Sequence, residues 1–214
     1  MSGATEHGDL MDRVYRHQRY VYDLTRKYYL FGRDRLIREL ALKPGARLVE
    51  VGCGTARNLV RIARRYPQAQ LFGLDASREM LKTASETLRR ARLEDRIVLA
   101  HAYAEDLAPA VFGETAPFDA CLFSYSLSMI PDWKSALNAA GRSLAGDGRI
   151  HVVDFGDLTG LGGTGRALML RWLALFHVAP RVELLQAFER EQGHCLRVLP
   201  MRYAFLLTTG SRRF

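Results

Sequence analysis

The segment Arg47-Leu-Val-Glu-Val-Gly-Cys-Gly-Thr-Ala-Arg-Asn58 constrains this chain more than any other. Leu48, Val49 and Val51 make the short apolar run of an inner parallel strand, which is buried on both faces and so does not alternate. Gly52 and Gly54 follow at once and allow torsions and a close backbone approach that a Cβ would block. The helical pattern that begins at Arg57 presents unpaired amides at its start. A strand, a glycine turn and a helix in this order form the ligand-binding corner of an open α/β sheet.

By itself Gly-x-Gly is a weak signal, since many α/β domains use it only to turn tightly. Two acids strengthen it. Glu50 stands at the carboxyl end of the strand, where open α/β sheets bind ligands. A second strand, Gln70-Leu-Phe-Gly-Leu-Asp75, ends in an acid about 20 residues on, where such folds hold a ribose hydroxyl pair. A loop acid or helix cap is the plainer alternative for Asp75. Ala56 replaces the third glycine of the dinucleotide pattern, a glycine that serves packing around a pyrophosphate. Its absence favours S-adenosylmethionine over a nicotinamide dinucleotide.

At 214 residues and 48% hydrophobic content the chain fits one α/β domain. Within it, residues 1–40 read as a helical cap and 41–214 as the main domain. Cys53, Cys121 and Cys195 show neither paired spacing nor a histidine cluster, which argues against a disulfide framework or zinc site and for a reducing compartment. The first ten residues lack the apolar centre of a signal peptide, and the longest apolar stretch, 167–178, is interrupted by Arg171. A cytoplasmic protein is expected. The formal net charge of +8 suits an anionic partner: nucleic acid, an anionic membrane surface or an acidic small molecule. A solvated basic surface is the alternative.

From Asp9 to Leu40 the pattern is helical, broken only by Gly32. Tyr15, Tyr22 and Tyr29 recur every seventh residue and share a face among Arg13, Arg16, Arg19, Arg26 and Lys27. Such a helix suits an anionic lipid surface, the lid of a cleft, or ordinary packing on a sheet. Further strands are expected at 96–100, 118–123 and 149–155, and helices at 57–66, from Arg78, and from Pro131 through Leu144. Hydroxyls crowd the end of the fourth strand in Ser124-Tyr-Ser-Leu-Ser128, at the mouth of the expected cleft. Asp154 ends the fifth strand near the same rim, with a structural role at least as apt. Residues 156–165, rich in glycine and threonine, predict a mobile loop. Helices at 166–178 and 182–192 and an antiparallel pair, 194–199 with 202–209, complete the chain.

Several of these segments together resemble class I S-adenosylmethionine-dependent methyltransferases: Glu50 to Gly54, Leu74-Asp-Ala-Ser-Arg-Glu-Met80, Phe118-Asp119 and Leu144-Ala-Gly-Asp-Gly148. That family implies a Rossmann-like α/β fold, a seven-stranded mostly parallel sheet ending in an antiparallel hairpin, here under an N-terminal helical cap. More narrowly, residues 22–33, 124–131, 151–156 and 176–181 resemble bacterial enzymes that N-methylate diacylglyceryl-homoserine to a betaine lipid. Phospholipid N-methyltransferases, acting on phosphatidylethanolamine, are the nearest alternative, and a catalytically weak cofactor-binding protein is a further one.

The resemblance implies a set of roles. Glu50, Gly52, Gly54 and Thr55 would hold the methionine end of S-adenosylmethionine, and Asp75, Ala76 and Met80 its ribose and adenine. Ala102, Tyr103 and Ala104 would flank the adenine, and Ser124 would lie under the sulfonium. Tyr103 departs from the pattern, standing where an aspartate often contacts the adenine. The chemistry calls for aromatic faces that hold successively methylated cations, for which Tyr22, Tyr29 and Tyr125 are the candidates, with Ser128 at the rim. Arg33 or Arg181 suits the homoserine carboxylate. No metal and no nucleic acid are expected, and S-adenosyl-L-homocysteine would be the product. A lipid substrate implies peripheral attachment to the inner face of the cytoplasmic membrane.

Overall fold

Five strands pair in parallel, and two more close one edge of the sheet in the opposite sense. The computed structural model describes residues 30–175, 180–190 and 193–210. The elements are α1 (Arg33–Glu39), β1 (Arg47–Val51), α2 (Arg57–Arg65), β2 (Gln70–Asp75), α3 (Arg78–Ala91), β3 (Ile97–His101) and β4 (Phe118–Ser124). Then follow α4 (Trp133–Ser143), β5 (Leu144–Phe155), α5 (Gly162–Ala174), α6 (Val182–Arg190), β6 (Cys195–Val198) and β7 (Ala204–Thr209). The sheet order is β3-β2-β1-β4-β5-β7-β6, so the terminal strands form the expected antiparallel pair. Tyr15, Tyr22 and Tyr29 lie outside the described residues.

The chain runs outward from β1 to β3 and returns to the other side of β1 as β4. The order therefore reverses between β1 and β4, where an open α/β sheet leaves a crevice at its carboxyl edge. Each face of the sheet is covered. One buries Leu36 and Ile37 of α1, Leu59 and Ile62 of α2, Leu88 of α3 and Leu173 of α5. The other buries Leu137 of α4 with Leu184, Leu185 and Phe188 of α6. At roughly 1.5–3 kcal/mol for each large side chain withdrawn from water, these layers fix the strand ends that form the crevice. The described part of the N-terminal segment, α1, belongs to the same core as the sheet.

Local signals account for the helix boundaries. The Ser77 hydroxyl caps α3 by accepting the Met80 amide at 3.2 Å, and the Asp132 carboxylate caps α4 by accepting the Ser135 amide at 3.1 Å. In α2 no side chain takes this role, because left-handed Ala56 occupies the N-cap.

Two expectations are corrected. β5 starts at Leu144 rather than Arg149, since Leu144 already pairs with Phe118 before a register irregularity, leaving Gly146-Asp147-Gly148 inside the strand. The segment expected to be a mobile loop after β5 is tied to the turn before β7. Gly156 and Leu158 donate their amides to the carbonyls of Tyr203 and Arg202, at 2.8 and 3.0 Å, and the Arg202 guanidinium grips the Asp157 carboxylate. Gly156 is required here: a Cβ would stand 2.1 Å from the Arg202 carbonyl oxygen. At Gly156 the glycine serves close packing, and residues 162–165 form the first turn of α5.

Candidate active site

The floor of the crevice is the turn after β1. The Gly52 and Cys53 amides both donate to the Leu74 carbonyl, at 2.8 and 3.0 Å, and so lock the turn onto the end of β2. Gly52 has φ +71°, and a Cβ on it would lie 2.5 Å from that of Ser126. Ser126, after β4, donates its hydroxyl to the Val51 carbonyl at 2.7 Å. The ends of β1 and β4 are thus stitched side by side. Ala56 is also left-handed, at φ 61°, which costs an L-residue roughly 1–2 kcal/mol. The common glycine at this place therefore has a conformational reason that applies with or without a pyrophosphate, and its replacement by Ala56 does not discriminate between cofactors.

Leu30, Arg33, Glu50, Gly52, Thr55, Asn58 and Ser124 line the cleft above this turn. Glu50 is 1% exposed and accepts a 2.6 Å hydrogen bond from the Asn58 side-chain amide. The Ser124 hydroxyl and the Asn58 carbonyl oxygen are buried with no hydrogen-bond partner among the described residues. Leaving such groups unmet costs roughly 1–3 kcal/mol each, so a cleft that keeps them suits a ligand bearing both donors and acceptors. The buried Glu50 carboxylate suits its cationic part and the Arg33 guanidinium an anionic part.

Next along the edge, Asp75 accepts the Gly54 amide at 2.8 Å and the Ser77 amide at 2.9 Å, one on each carboxylate oxygen. Asp75 thus has the structural role of the two alternatives, tying the turn after β1 to the start of α3. Met80 is buried in the first turn of α3. The Ala102 amide donates to the Asp75 carbonyl at 3.3 Å, which brings the 102–104 loop beside the β2 end, with Ala104 buried and Tyr103 half-buried. His101 contacts the Ala76 carbonyl at 3.0 Å through Nε2, a structural position.

The residues proposed for substrate separate. Arg33 lies in the cleft. Tyr125 is left-handed at φ 54° and 2% exposed, its hydroxyl donating to the Phe31 carbonyl and its ring set edge-on to Phe155 with centroids 4.7 Å apart. Burial, aided by the charge on Asp154, raises its phenol pKa. Tyr125 therefore pins the approach to α1 onto the rim instead of presenting a face to the cleft. Ser128 donates its amide to the Asp154 carboxylate at 2.9 Å. Asp154 is fully buried, also accepts the Phe155 amide, and burial raises its pKa to about 6. Arg181 donates to the Pro131 carbonyl at 3.1 Å on the same side. Tyr22 and Tyr29 lie outside the described residues. Asn58 was missed by the sequence reading; its signal was a lone amide among the inward-facing Leu59, Ile62 and Ala63 of α2.

Residues 48–148 match a family described as a methyltransferase domain. Residues 48–148 therefore carry a methyltransferase domain, and the sheet has the Rossmann-like fold of the class I S-adenosylmethionine-dependent enzymes. It is 33% identical over 168 residues to the ubiquinone/menaquinone biosynthesis C-methyltransferase UbiE of Syntrophotalea carbinolica, a match covering 75% of this chain and 66% of that protein. The chain thus spans just under two thirds of that relative's length. In fold, the methyltransferase domain is similar to an S-adenosylmethionine-dependent methyltransferase from Aquifex aeolicus, with a TM-score of 0.62 at 15% identity, covering 86% of this chain and 91% of that one. It is also similar to geranyl diphosphate C-methyltransferase from Streptomyces coelicolor, solved with S-adenosyl-L-homocysteine, with a TM-score of 0.61 at 15% identity, covering 84% and 78%.

The polar groups around the cleft suit S-adenosylmethionine in kind: the Glu50 carboxylate accepts from an ammonium, the Asp75 carboxylate from hydroxyls, and the Arg33 guanidinium donates to a carboxylate. Among the described residues no group of three or more His, Cys, Asp or Glu side chains has the arrangement of a metal site. Nor, among them, is any helix long and apolar enough to cross a membrane.

Proposed function

We propose that this chain is an N-methyltransferase that moves methyl groups from S-adenosylmethionine to the amine of diacylglyceryl-homoserine, three times in succession, to give the trimethylated betaine lipid. The observation that carries methyl transfer is the cleft at the β1/β4 reversal, where buried Glu50, Ser124 and Asn58 surround the Gly52 turn inside the segment that matches the family. The lipid substrate is supported by the resemblance of residues 22–33, 124–131, 151–156 and 176–181 to enzymes of betaine-lipid synthesis.

When bound, S-adenosylmethionine supplies a methyl group on a positively charged sulfur. This chain's residues supply placement. Glu50, held by Asn58, takes the cofactor's ammonium, and Asp75 takes its ribose hydroxyls. Arg33 shares the cleft with Glu50 and so serves the cofactor's carboxylate; the homoserine carboxylate then falls to Arg181, beside the rim. The attacking nitrogen must be neutral. If its pKa is near 10, neutralising it at pH 7 costs about 4 kcal/mol, at roughly 1.4 kcal/mol per pH unit. Alignment of nucleophile and methyl supplies up to about 7–11 kcal/mol in favourable cases, enough to make a dedicated base unnecessary. With Tyr125 packed inward, the aromatic contacts to the methylated ammonium fall to Tyr22 and Tyr29.

The 33% identity to a quinone C-methyltransferase favours a second reading, methyl transfer to a ring carbon of a lipid-soluble quinone. One experiment separates the two: incubation with labelled S-adenosylmethionine and bacterial lipid extract, followed by mass spectrometry. Label on homoserine lipid supports the proposal. Label on phosphatidylethanolamine or a quinone replaces it, and no labelled product alongside calorimetric cofactor binding leaves only a binding protein.

A further inference from the structure

The solvent face of α5 inverts the usual pattern. A surface helix normally turns its apolar stripe inward and its charges outward. Here Met169, Leu170, Trp172 and Leu173 pack on the core, yet the opposite face, Thr164, Ala167, Leu168, Arg171 and Ala174 with Leu175 at the C-cap, is exposed and carries one charged residue. Leu168 and Leu175 are 70% and 68% exposed.

Two other exposed large apolar side chains stand on segments that pack around the start of this helix. Of the five among the described residues, only Val98, on edge strand β3, stands apart. Met201 lies in the turn packed against Gly160, which leads into α5, and Phe31 meets the neighbouring Tyr203 ring edge-on at 5.2 Å. Phe31 also follows Leu30, a wall of the cleft, and its carbonyl is held by Tyr125. Phe31 therefore stands at the mouth of the cleft.

We propose that the belt of Leu168, Leu175, Met201 and Phe31 is the surface by which this protein lies on an anionic phospholipid bilayer. Charge selects this occupant. Residues 162–175 contain Arg166 and Arg171 and no acid, and the chain as a whole carries +8. An apolar helix face centred on arginine enters the boundary between headgroups and acyl chains, where leucines are buried and the guanidinium meets phosphate. The inference rests on the lipid-substrate reading for its purpose, since a headgroup lifted from the membrane would enter the cleft beside the belt.

The test is sedimentation of the full chain with vesicles of phosphatidylglycerol and phosphatidylcholine, or of phosphatidylcholine alone, at low and high salt. The wild type is expected to prefer the anionic vesicles and to lose binding as salt rises. Leu168→Gln with Leu175→Gln is expected to weaken binding about tenfold or more, and Arg171→Ala to remove most of the anionic preference, while melting temperature and calorimetric cofactor affinity stay as in the wild type. Equal sedimentation of wild type and double variant overturns the proposal. So does a lowered melting temperature in the double variant, which would mean that the chain covers this face itself, or a concentration-dependent dimer abolished by the substitutions without any effect on vesicles. Methyl transfer to detergent-dispersed lipid is measured in parallel. Its absence with intact vesicle binding rejects the lipid-substrate reading and keeps the surface; its presence without vesicle binding does the reverse.

Discussion

A Cβ placed on Gly52 would stand 2.5 Å from the Cβ of Ser126, so the turn after β1 and the rim after β4 touch through a missing side chain. Both are held to the strand ends, Gly52 by the Leu74 carbonyl and Ser126 by that of Val51.

Gly52→Ala meets two penalties: a left-handed φ, worth roughly 1–2 kcal/mol for an L-residue, and a contact that pushes Ser126 away. It is expected to lower the melting temperature and to weaken cofactor binding at least tenfold by calorimetry. Adding Ser126→Gly removes the contact but not the torsional strain, so affinity should recover in part. Full independence of the two substitutions would show that the rim is not positioned through this contact.

Ser124 separates stability from function. Its hydroxyl is buried without a partner among the described residues, and Ser124→Ala removes that cost. The ligand-free variant should gain about 1 kcal/mol, a rise of roughly 2–4 °C in melting temperature, while methyl transfer or cofactor affinity falls. A variant less stable than the wild type would mean that the hydroxyl is satisfied within the protein.

Arg33→Lys keeps the charge but loses the fork that grips a carboxylate by two parallel bonds. Cofactor affinity is expected to fall about tenfold, with the KM for lipid unchanged once cofactor saturates. The opposite split would return Arg33 to the substrate carboxylate.

Asp154 and His151 have opposing pH dependences. Burial raises the Asp154 carboxyl to about 6 from an ordinary 3.8, so the folded state holds its proton more tightly and stability falls as pH rises from about 4 to 6. Burial, with Arg149 nearby, lowers the His151 pKa to about 4 from 6.5, so the unfolded chain takes up the proton first and stability falls as pH drops from 6.5 to about 4. Within this window the two largely offset each other. In His151→Gln the Asp154 dependence is no longer offset by the imidazole, and the variant should gain about 3 kcal/mol relative to the wild type between pH 8 and pH 4, at roughly 1.4 kcal/mol per pH unit. Denaturant titration at several pH values measures this, and a pH-independent difference between the two proteins would contradict it.

Much of the site was legible before the fold. The apolar run with Glu50 and two glycines marked the strand end, and Asp75 marked the next, because buried parallel strands and their turns leave local patterns. What could not be read was the company each side chain keeps. Ser124, Tyr125, Ser126 and Ser128 looked alike as hydroxyls at a strand end. Ser124 opens into the cleft, Ser126 bonds Val51, Tyr125 reaches back to Phe31, and Ser128 places its amide on Asp154. Those partners lie 26 to 94 residues away in sequence, and only closure of the sheet brings them together.

Local residues were enough for the class of fold and for the strand-turn-helix corner with its two strand-end acids, because these depend on neighbours within one strand, turn and helix. The tertiary structure decided that the glycine-rich segment after β5 is anchored through Gly156 and Asp157, that Ala56 is left-handed, and that Arg33 stands beside Glu50. It also decided that α5 turns leucines to solvent. Which face of a helix is outer depends on what the sheet leaves uncovered, and no local pattern encodes that.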